Sequence, residues 1–256
     1  MGQALHPTFA APGGNSAATA IPAIPGLWRG LDLARPPRPG FATGFAPLDA
    51  ELPGGGWPAG ALTEVLHADT GIGELRLFFH ALKALTGAGA PVFLLDPPWI
   101  PYAPALANAG IALPRLTIVR PRRPQDALWA CEQILKGLGE GALVAWPHGL
   151  KNQDARRLQL AVEGKPVLAV LMRPLSAATE QTPAALRIAL EAAPDRLVLR
   201  ILKRRGGLLP RPIVLAPHSP LPPALDPPAL DPPPHVVDRD SPRQPAAGLH
   251  PASAHA

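Results

Sequence analysis

The chain has 256 residues, including 37 prolines, and its formal net charge is +5 at neutral pH. This length suits one ordinary domain with terminal tails. A lone cysteine, Cys131, excludes an intrachain disulfide, and no apolar run free of proline and charge reaches membrane-spanning length. Because residues 1–24 also lack the basic start and long apolar core of a secretory signal, we expect a cytoplasmic protein with no membrane partner.

Both ends of the chain differ in composition from its middle. Residues 1–40 are rich in alanine, proline and glycine, and we expect a flexible segment. Trp28 in this segment is interpreted as an anchor that packs onto the domain, with a short partner-binding motif as the alternative, because an exposed tryptophan usually needs covering. Residues 218–256 repeat PALDPP and are expected to form a disordered proline-rich tail. Residues 41–217 are expected to form one domain.

The domain alternates predicted strands and helices, as α/β proteins do. Apolar runs such as VFLL, ALVA and VLAVL are typical of parallel strands buried on both faces. We expect strands at 61–66, 91–95, 116–120, 142–146 and 166–172, and helices at 73–86, 102–109, 124–137 and 153–163. Cys131 falls on the inward side of one of these helices, so we expect it to be a buried core residue. The segments LRIALEAA and DRLVLRIL alternate with period two, which predicts a terminal antiparallel hairpin at the sheet edge.

The first predicted strand follows a distinctive segment, FATGFAPLDAELPGGGWPAGALTEVL, from Phe41 to Leu66. It contains a Thr-Gly pair, a Leu-Asp pair, a glycine-rich turn and a Pro-x-Gly sequence. This order resembles the lead-in to the ATPase core of the RecA family. The resemblance implies a RecA-like fold, with a mostly parallel sheet covered by helices on both faces and a phosphate-binding loop after this strand.

The loop that follows, HADTGIGEL, departs from the phosphate-loop pattern GxxxxGK[ST]. In that pattern backbone amides surround the phosphates, the lysine neutralises them and the hydroxyl binds magnesium. With one inserted residue, the corresponding positions are His67, Gly71, Gly73, Glu74 and Leu75. Glu74 replaces the lysine and Leu75 the hydroxyl. Because a carboxylate repels a triphosphate, we interpret the loop as disabled for phosphate binding.

Two further family positions are also substituted. The strand that ends at Asp96 should deliver a water-activating glutamate, but Pro98 stands there, and Trp146 stands where an aspartate should hold magnesium. Phosphoryl transfer then lacks its electrophile, metal site and base, so we expect no enzymatic activity, no cofactor and no metal. The alternative is an ATPase that uses a displaced lysine such as Lys83, which lies about two and a half helical turns beyond the loop.

Basic residues are clustered at three places. The clusters are Arg120, Arg122 and Arg123 after a predicted strand, Lys203, Arg204 and Arg205 at the expected tip of the terminal hairpin, and the pair Arg156 and Arg157. Together they indicate contact with DNA or an acidic partner, with an ordinary solvated surface as the alternative. We find no aromatic stacking platform in these clusters, so we do not expect base reading of single strands.

A RecA-like scaffold without the ATPase residues resembles the ImuA family, which is associated with translesion synthesis and related to the division inhibitor SulA. The resemblance covers residues 25 to about 217. It implies a non-enzymatic accessory factor in SOS-induced translesion synthesis and mutagenesis, with ImuB, an error-prone replicative-type DNA polymerase and RecA as partners. The alternative is a SulA-like protein that binds the tubulin-like division protein. The length and the complete lead-in favour the first interpretation.

Overall fold

The structure is a computed structural model, and it describes residues 38–194, 196–205 and 211–216. The described residues belong to one compact unit that begins at Arg38. The N-terminal segment up to residue 37, with the proposed anchor Trp28, and the proline-rich tail at 218–256 lie outside the described residues.

Helices and strands alternate through most of the described chain. The helices are α1 (Ala46–Glu51), α2 (Phe79–Gly87), α3 (Ala103–Asn108), α4 (Pro124–Gly137) and α5 (Asn152–Val162). The strands are β1 (Ala61–His67), β2 (Val92–Leu95), β3 (Leu116–Val119), β4 (Gly141–Ala145), β5 (Val167–Pro174), β6 (Leu186–Ala193), β7 (Arg196–Lys203) and β8 (Ile213–Leu215). Short 3-10 helices occupy Glu74–Phe78, Leu113–Arg115 and Leu175–Thr179.

The described strands form one eight-stranded sheet in the order β3-β2-β4-β5-β1-β6-β7-β8. Every pair of adjacent strands among β1 to β6 is parallel. Strand β7 is antiparallel to β6 and to β8. The expected α/β class with a mostly parallel sheet is confirmed, and so is the terminal antiparallel hairpin, which β8 extends by one strand.

The sheet residues contribute alternately to two clusters of buried side chains. Val144 of β4 belongs to a cluster with Phe78 and Leu82, whereas its neighbour Leu143 belongs to one with Cys131 and Leu158. This alternation follows from the two-residue period of a strand. The expected burial of Cys131 is confirmed, and burial raises the pKa of its thiol to about 12.

The glycine-rich lead-in folds back on itself before β1. Phe41 and Trp57 exchange backbone hydrogen bonds of 2.9 and 2.7 Å, and the buried Trp57 ring lies 4.5 Å from that of Phe78. A Cβ atom on Gly56 would stand 2.2 Å from the carbonyl oxygen of Phe41, so this crossing requires glycine. The Asp49 carboxylate accepts the Thr43 N–H at 2.8 Å. The lead-in motif therefore has a packing role.

The prediction of a continuous helix over 73–86 is wrong for its first turn, which is a 3-10 segment. Gly73 has a left-handed φ of 97°, and the Arg76 N–H donates to the Gly73 carbonyl at 2.9 Å, an i→i+3 bond. Phe78, with φ of −102° and ψ of −4°, then separates this 3-10 segment from α2. The tighter turn sets the direction in which Glu74 leaves the loop.

Candidate functional site

The candidate site is the loop from His67 to Gly73 at the carboxyl end of β1. Six of the seven β1 residues are buried, so the strand carries the loop from the centre of the sheet. Gly71 and Gly73 have φ values of 82° and 97°, which glycine adopts without the strain imposed by a side chain. The loop thus keeps backbone conformations that depend on glycine.

Glu74 turns its side chain back into this loop. The residue is only 4% exposed, and its Oε1 accepts the Gly71 N–H at 3.1 Å. Its Oε2 has no hydrogen-bond partner among the described residues. In a working phosphate loop, backbone amides of this kind face the phosphates. Here an internal carboxylate takes one of them.

His67 closes the start of the loop. Its Nδ1 lies 2.9 Å from the carbonyl oxygen of Asp69. Because a carbonyl can only accept, Nδ1 carries the proton of this bond, and in the neutral ring Nε2 is then an acceptor. The residue is buried and therefore braces the loop from within.

The other substituted positions serve packing or lie on the surface. Leu75 packs against the core cluster that contains Phe78 and Leu82. The buried Trp146 follows β4, and its backbone N–H donates to the Leu95 carbonyl at 3.0 Å. Pro98 is exposed in the segment after β2. Lys83 lies beside Gly110, whose Cβ would stand 3.0 Å from the lysine Cε. Over the described ranges, no group of three or more His, Cys, Asp or Glu residues is placed to hold a metal ion.

Two surface depressions lie away from the loop. One of about 340 Å³ is lined by Gln125, Leu128, Trp129, Glu132, Asp154, Arg157 and Leu158. The other, of about 410 Å³, is lined by Ala178, Glu180, Gln181, Thr182, Arg187, Leu202 and Lys203. Neither contains a residue of the loop, so neither extends it into a pocket.

The basic cluster that ends β7 is not at the tip of the β6–β7 hairpin, as expected, but at the opposite end of that hairpin. Strand β7 starts at Arg196, beside the turn, and ends at Lys203, which pairs with Arg187 near the start of β6. The expectation was wrong because β7 follows the turn with seven residues before it reaches Lys203, the first residue of the cluster. The cluster consequently lies at the amino edge of the sheet.

Several cations of the two later clusters have partners within the protein. Lys203 Nζ donates to the Thr182 carbonyl at 2.8 Å. Arg204 Nη1 donates to the Glu51 carbonyl and lies 3.0 Å from the Glu51 Oε2 atom. Arg157 pairs with Glu132. By contrast, Arg205 is exposed.

The cluster at Arg120, Arg122 and Arg123 lies at the opposite, carboxyl edge, directly after β3. All three side chains are exposed, and Arg120 Nη2 donates to the Pro97 carbonyl at 3.2 Å. Pro97 begins the segment PPWIPY, in which Trp99 and Tyr102 are exposed. The cluster contains no aromatic residue of its own, but the fold places it beside this segment, which the sequence analysis did not connect with it. The signal was present in the sequence, since the segment and the cluster follow neighbouring strands.

The sequence interpretation also missed a buried ion network around Glu64 of β1. The fully buried Glu64 carboxylate accepts from Arg173 Nη1 at 3.2 Å and from Arg187 Nε at 2.7 Å. Thr182 Oγ1 donates to it at 2.8 Å. Arg173 also donates to Glu180 Oε2 at 2.6 Å. A glutamate inside an apolar parallel strand is the signal that could have revealed it, because buried charges are paired.

Comparison with known proteins finds two similar sequences, both named Protein ImuA. The chain is similar to Protein ImuA of Caulobacter vibrioides. This chain and that relative are 33% identical over 135 residues, which are 50% of this chain and 55% of the relative. The Protein ImuA sequences from strains NA1000 / CB15N and ATCC 19089 / CIP 103742 / CB 15 match equally. The chain thus matches about half the length of these curated relatives. No protein-family model matches it.

The ImuA similarity agrees with the resemblance drawn from the motifs. It brings no support for the SulA-like alternative. None of the helices within the described ranges is long and apolar enough to cross a membrane.

Proposed function

We propose that this chain is an ImuA-like accessory factor in SOS-induced translesion DNA synthesis and damage-induced mutagenesis. It acts through protein partners, with ImuB, an error-prone replicative-type DNA polymerase and RecA as the expected ones. The 33% identity with Protein ImuA supports the assignment to this system. The arrangement of Glu74 in the loop after β1 supports a role without nucleotide hydrolysis.

The proposed scaffold is a RecA-like core formed by residues 41–217. The parallel strands β1 to β6 and the two separate core clusters support a sheet covered by helices on both faces. In such sheets, ligands bind at the carboxyl ends of the strands. The loop after β1 is at such an end, which makes its chemistry the main test of the proposal.

The bond between Glu74 and Gly71 is the observation that carries the non-enzymatic role. A phosphate in this loop would have to displace a buried carboxylate from an amide, or else lie beside it. Two like charges about 4 Å apart repel by roughly 4 kcal/mol at an effective dielectric constant of about 20. The same position in an active loop holds a lysine, which attracts the phosphates instead.

Titration calorimetry with magnesium-ATP tests this directly. We expect no binding by the wild-type protein at micromolar concentrations. The Glu74→Gln variant keeps the size of the side chain and removes its charge, so it separates charge repulsion from blocked space. A micromolar dissociation constant for the wild-type protein, accompanied by hydrolysis that Lys83→Ala abolishes, would overturn the non-enzymatic role and support the displaced-lysine ATPase.

The cellular role is tested in a bacterium that lacks its own ImuA but retains ImuB and the polymerase. Expression of this chain should restore ultraviolet-induced mutation frequency, and Lys83→Ala should restore it equally. Co-purification with ImuB from the same cells should accompany the recovery. Failure to restore mutagenesis by a folded, expressed protein contradicts the proposal, and filamentous growth on expression would instead favour the division-inhibitor alternative.

A further inference from the structure

The segment after β2 exposes three large apolar side chains within four residues. Trp99, Ile100 and Tyr102 are 68%, 80% and 70% exposed. Prolines at 97, 98 and 101 restrict the backbone around them, because the proline ring fixes φ. Such side chains are costly in water, and a proline-restricted segment gives them little freedom to fold back onto the core. Their exposure indicates a binding surface.

The segment and the first basic cluster lie together at the carboxyl edge of the sheet. Strands β2 and β3 are neighbours, with Leu95 opposite Val119, and the Asp96 N–H donates to the Val119 carbonyl at 2.8 Å. Arg120, the next residue, reaches the Pro97 carbonyl. The aromatic segment therefore follows the end of β2, and the arginines follow the end of the adjacent strand β3.

Trp99 also connects this surface with the loop after β1. A Cβ atom on Gly71 would stand 3.6 Å from the Trp99 indole nitrogen, so the ring borders the loop. The loop amide at Gly71 is already bonded to Glu74 and is not offered to a ligand. The exposed indole and the arginines are groups at this edge that can contact a partner.

The charge of the edge favours an anion. Arg122 and Arg123 are exposed, and no bond from their side chains to another described residue is found. The acids at the same edge are Asp96 after β2, Asp126 after β3 and the exposed Asp69 in the loop after β1. Asp126 lies in the first turn of α4, where the positive end of the helix dipole offsets its charge.

We propose that the aromatic-arginine edge, comprising Trp99, Ile100, Tyr102, Arg120, Arg122 and Arg123, binds single-stranded DNA. Bases stack on Trp99 and Tyr102, Ile100 adds apolar contact, and the arginines contact phosphates. Aromatic side chains beside cations form the usual platform for single strands, and stacking accepts any base. The site therefore binds without sequence preference, because phosphate contacts position a strand and do not read it.

This site goes beyond the proposed function, since that role acts through protein partners and requires no direct DNA contact. Failure of the DNA experiment would leave the mutagenesis and ImuB tests unaffected. A protein partner with an acidic surface is the competing occupant, because tryptophan, tyrosine and arginine are also common in the centres of protein interfaces. The two occupants predict different effects of Trp99→Ala on DNA binding and on ImuB binding.

The test measures fluorescence anisotropy of a labelled oligo(dT), longer than the about 4 to 16 nucleotides that such platforms cover, with the full-length protein. Trp99→Ala should weaken binding about 5- to 150-fold, the range expected for loss of one stacked base. Trp129→Ala is the matched control, because Trp129 is similarly exposed at 64% but lies on α4. Duplex DNA of equal length should bind more weakly, since its bases are not free to stack on the protein.

Salt dependence tests the arginines separately. The Arg122→Ala/Arg123→Ala variant should reduce the slope of log affinity against log salt by about 1.4, at about 0.7 per phosphate contact on a single strand. Lys203→Ala/Arg205→Ala, at the opposite edge, should leave the slope unchanged. Equal binding by the wild-type protein and Trp99→Ala would overturn the proposal, as would full binding of an abasic strand. Loss of ImuB binding in Trp99→Ala without any DNA binding would assign the edge to a protein partner instead.

Discussion

Two groups of cations lie at opposite edges of the same sheet, and they differ in what surrounds them. At the amino edge, Lys203 and Arg204 bond to Thr182 and Glu51. At the carboxyl edge, Arg122 and Arg123 are exposed beside the aromatic segment. Similar runs of basic residues therefore have different roles, one largely internal and one available to a partner. A sequence cluster indicates a binding surface only where the fold leaves its charges without internal partners.

The largest expected loss of stability comes from removing the buried charge of Glu64, which pairs with Arg173 and Arg187. Glu64→Gln removes the charge that Arg173 and Arg187 share, while keeping a side chain of the same size. Breaking a buried ion pair by removing one partner typically costs about 3 to 5 kcal/mol, because the other charge stays buried and uncompensated. We expect a loss of that size in the free energy of unfolding, measured by urea titration. A loss below about 1 kcal/mol would show that the two arginines need no internal anion.

Arg204→Ala should have a smaller effect. Its side chain is only 15% exposed and bonds to both the backbone and the carboxylate of Glu51, so the substitution should cost about 1 to 2 kcal/mol. Arg122→Ala is the control and should stay within about 0.5 kcal/mol, as is usual for surface substitutions. If both variants lose the same stability in urea, the contrast between the two edges is wrong.

Lys203→Ala should change stability less than Arg204→Ala does. Its ammonium group bonds to the Thr182 carbonyl at an exposed position, where contacts of a charged side chain contribute about 1 kcal/mol or less. The thermal midpoints of the two variants, compared at low and moderate salt, check the order. A larger loss for Lys203→Ala would mean that its bond, and not that of Arg204, secures this edge.

Glu132→Gln should show the smallest effect, as a difference that depends on pH. Hydrogen bonding from Lys136, followed by the nearby charge of Arg157, lowers the pKa of Glu132 below its ordinary value of 4.5. The folded state therefore gains stability from the ionised carboxylate above pH 4.5, and this gain is lost as the pH falls through the lowered pKa. Thermal midpoints of the variant and the wild-type protein should differ at neutral pH and converge in acid.

The control for this pH dependence is Glu140→Gln, which removes an exposed carboxylate. Its midpoint should follow that of the wild-type protein across the same range. A Glu132→Gln difference that persists unchanged in acid would attribute the effect to packing between α4 and α5.

Much of the sheet could be predicted because the pattern of apolar residues within each strand reflects how that strand is buried. VFLL, ALVA and VLAVL are apolar at every position, and β2, β4 and β5 are indeed interior parallel strands. The alternation in β6 and β7 likewise predicted the hairpin. Strand β8 has three residues, too few to show a period, and was not predicted.

The interaction partners of the charged side chains could not be predicted in the same way, because they are distant in sequence. Glu51 lies 153 residues before Arg204, and no local pattern connects them. At the loop after β1, the substitution of lysine by Glu74 was visible in the sequence, but its bond to Gly71 depends on the left-handed glycine and the 3-10 turn. The exposure of Trp99 was similarly hidden, since a tryptophan between prolines is compatible with either core or surface.

The Glu64 network has a consequence for synthesis of the chain on the ribosome. Arg187, which completes the network, follows Glu64 by 123 residues. At about 5 to 20 residues per second, translation of that interval takes roughly 6 to 25 s. During this time β1 exists without β6, and a carboxylate destined for the sheet centre has no cation from that strand. The nascent domain therefore cannot complete its central strands early, and a chaperone that shields β1 should raise the yield of folded protein.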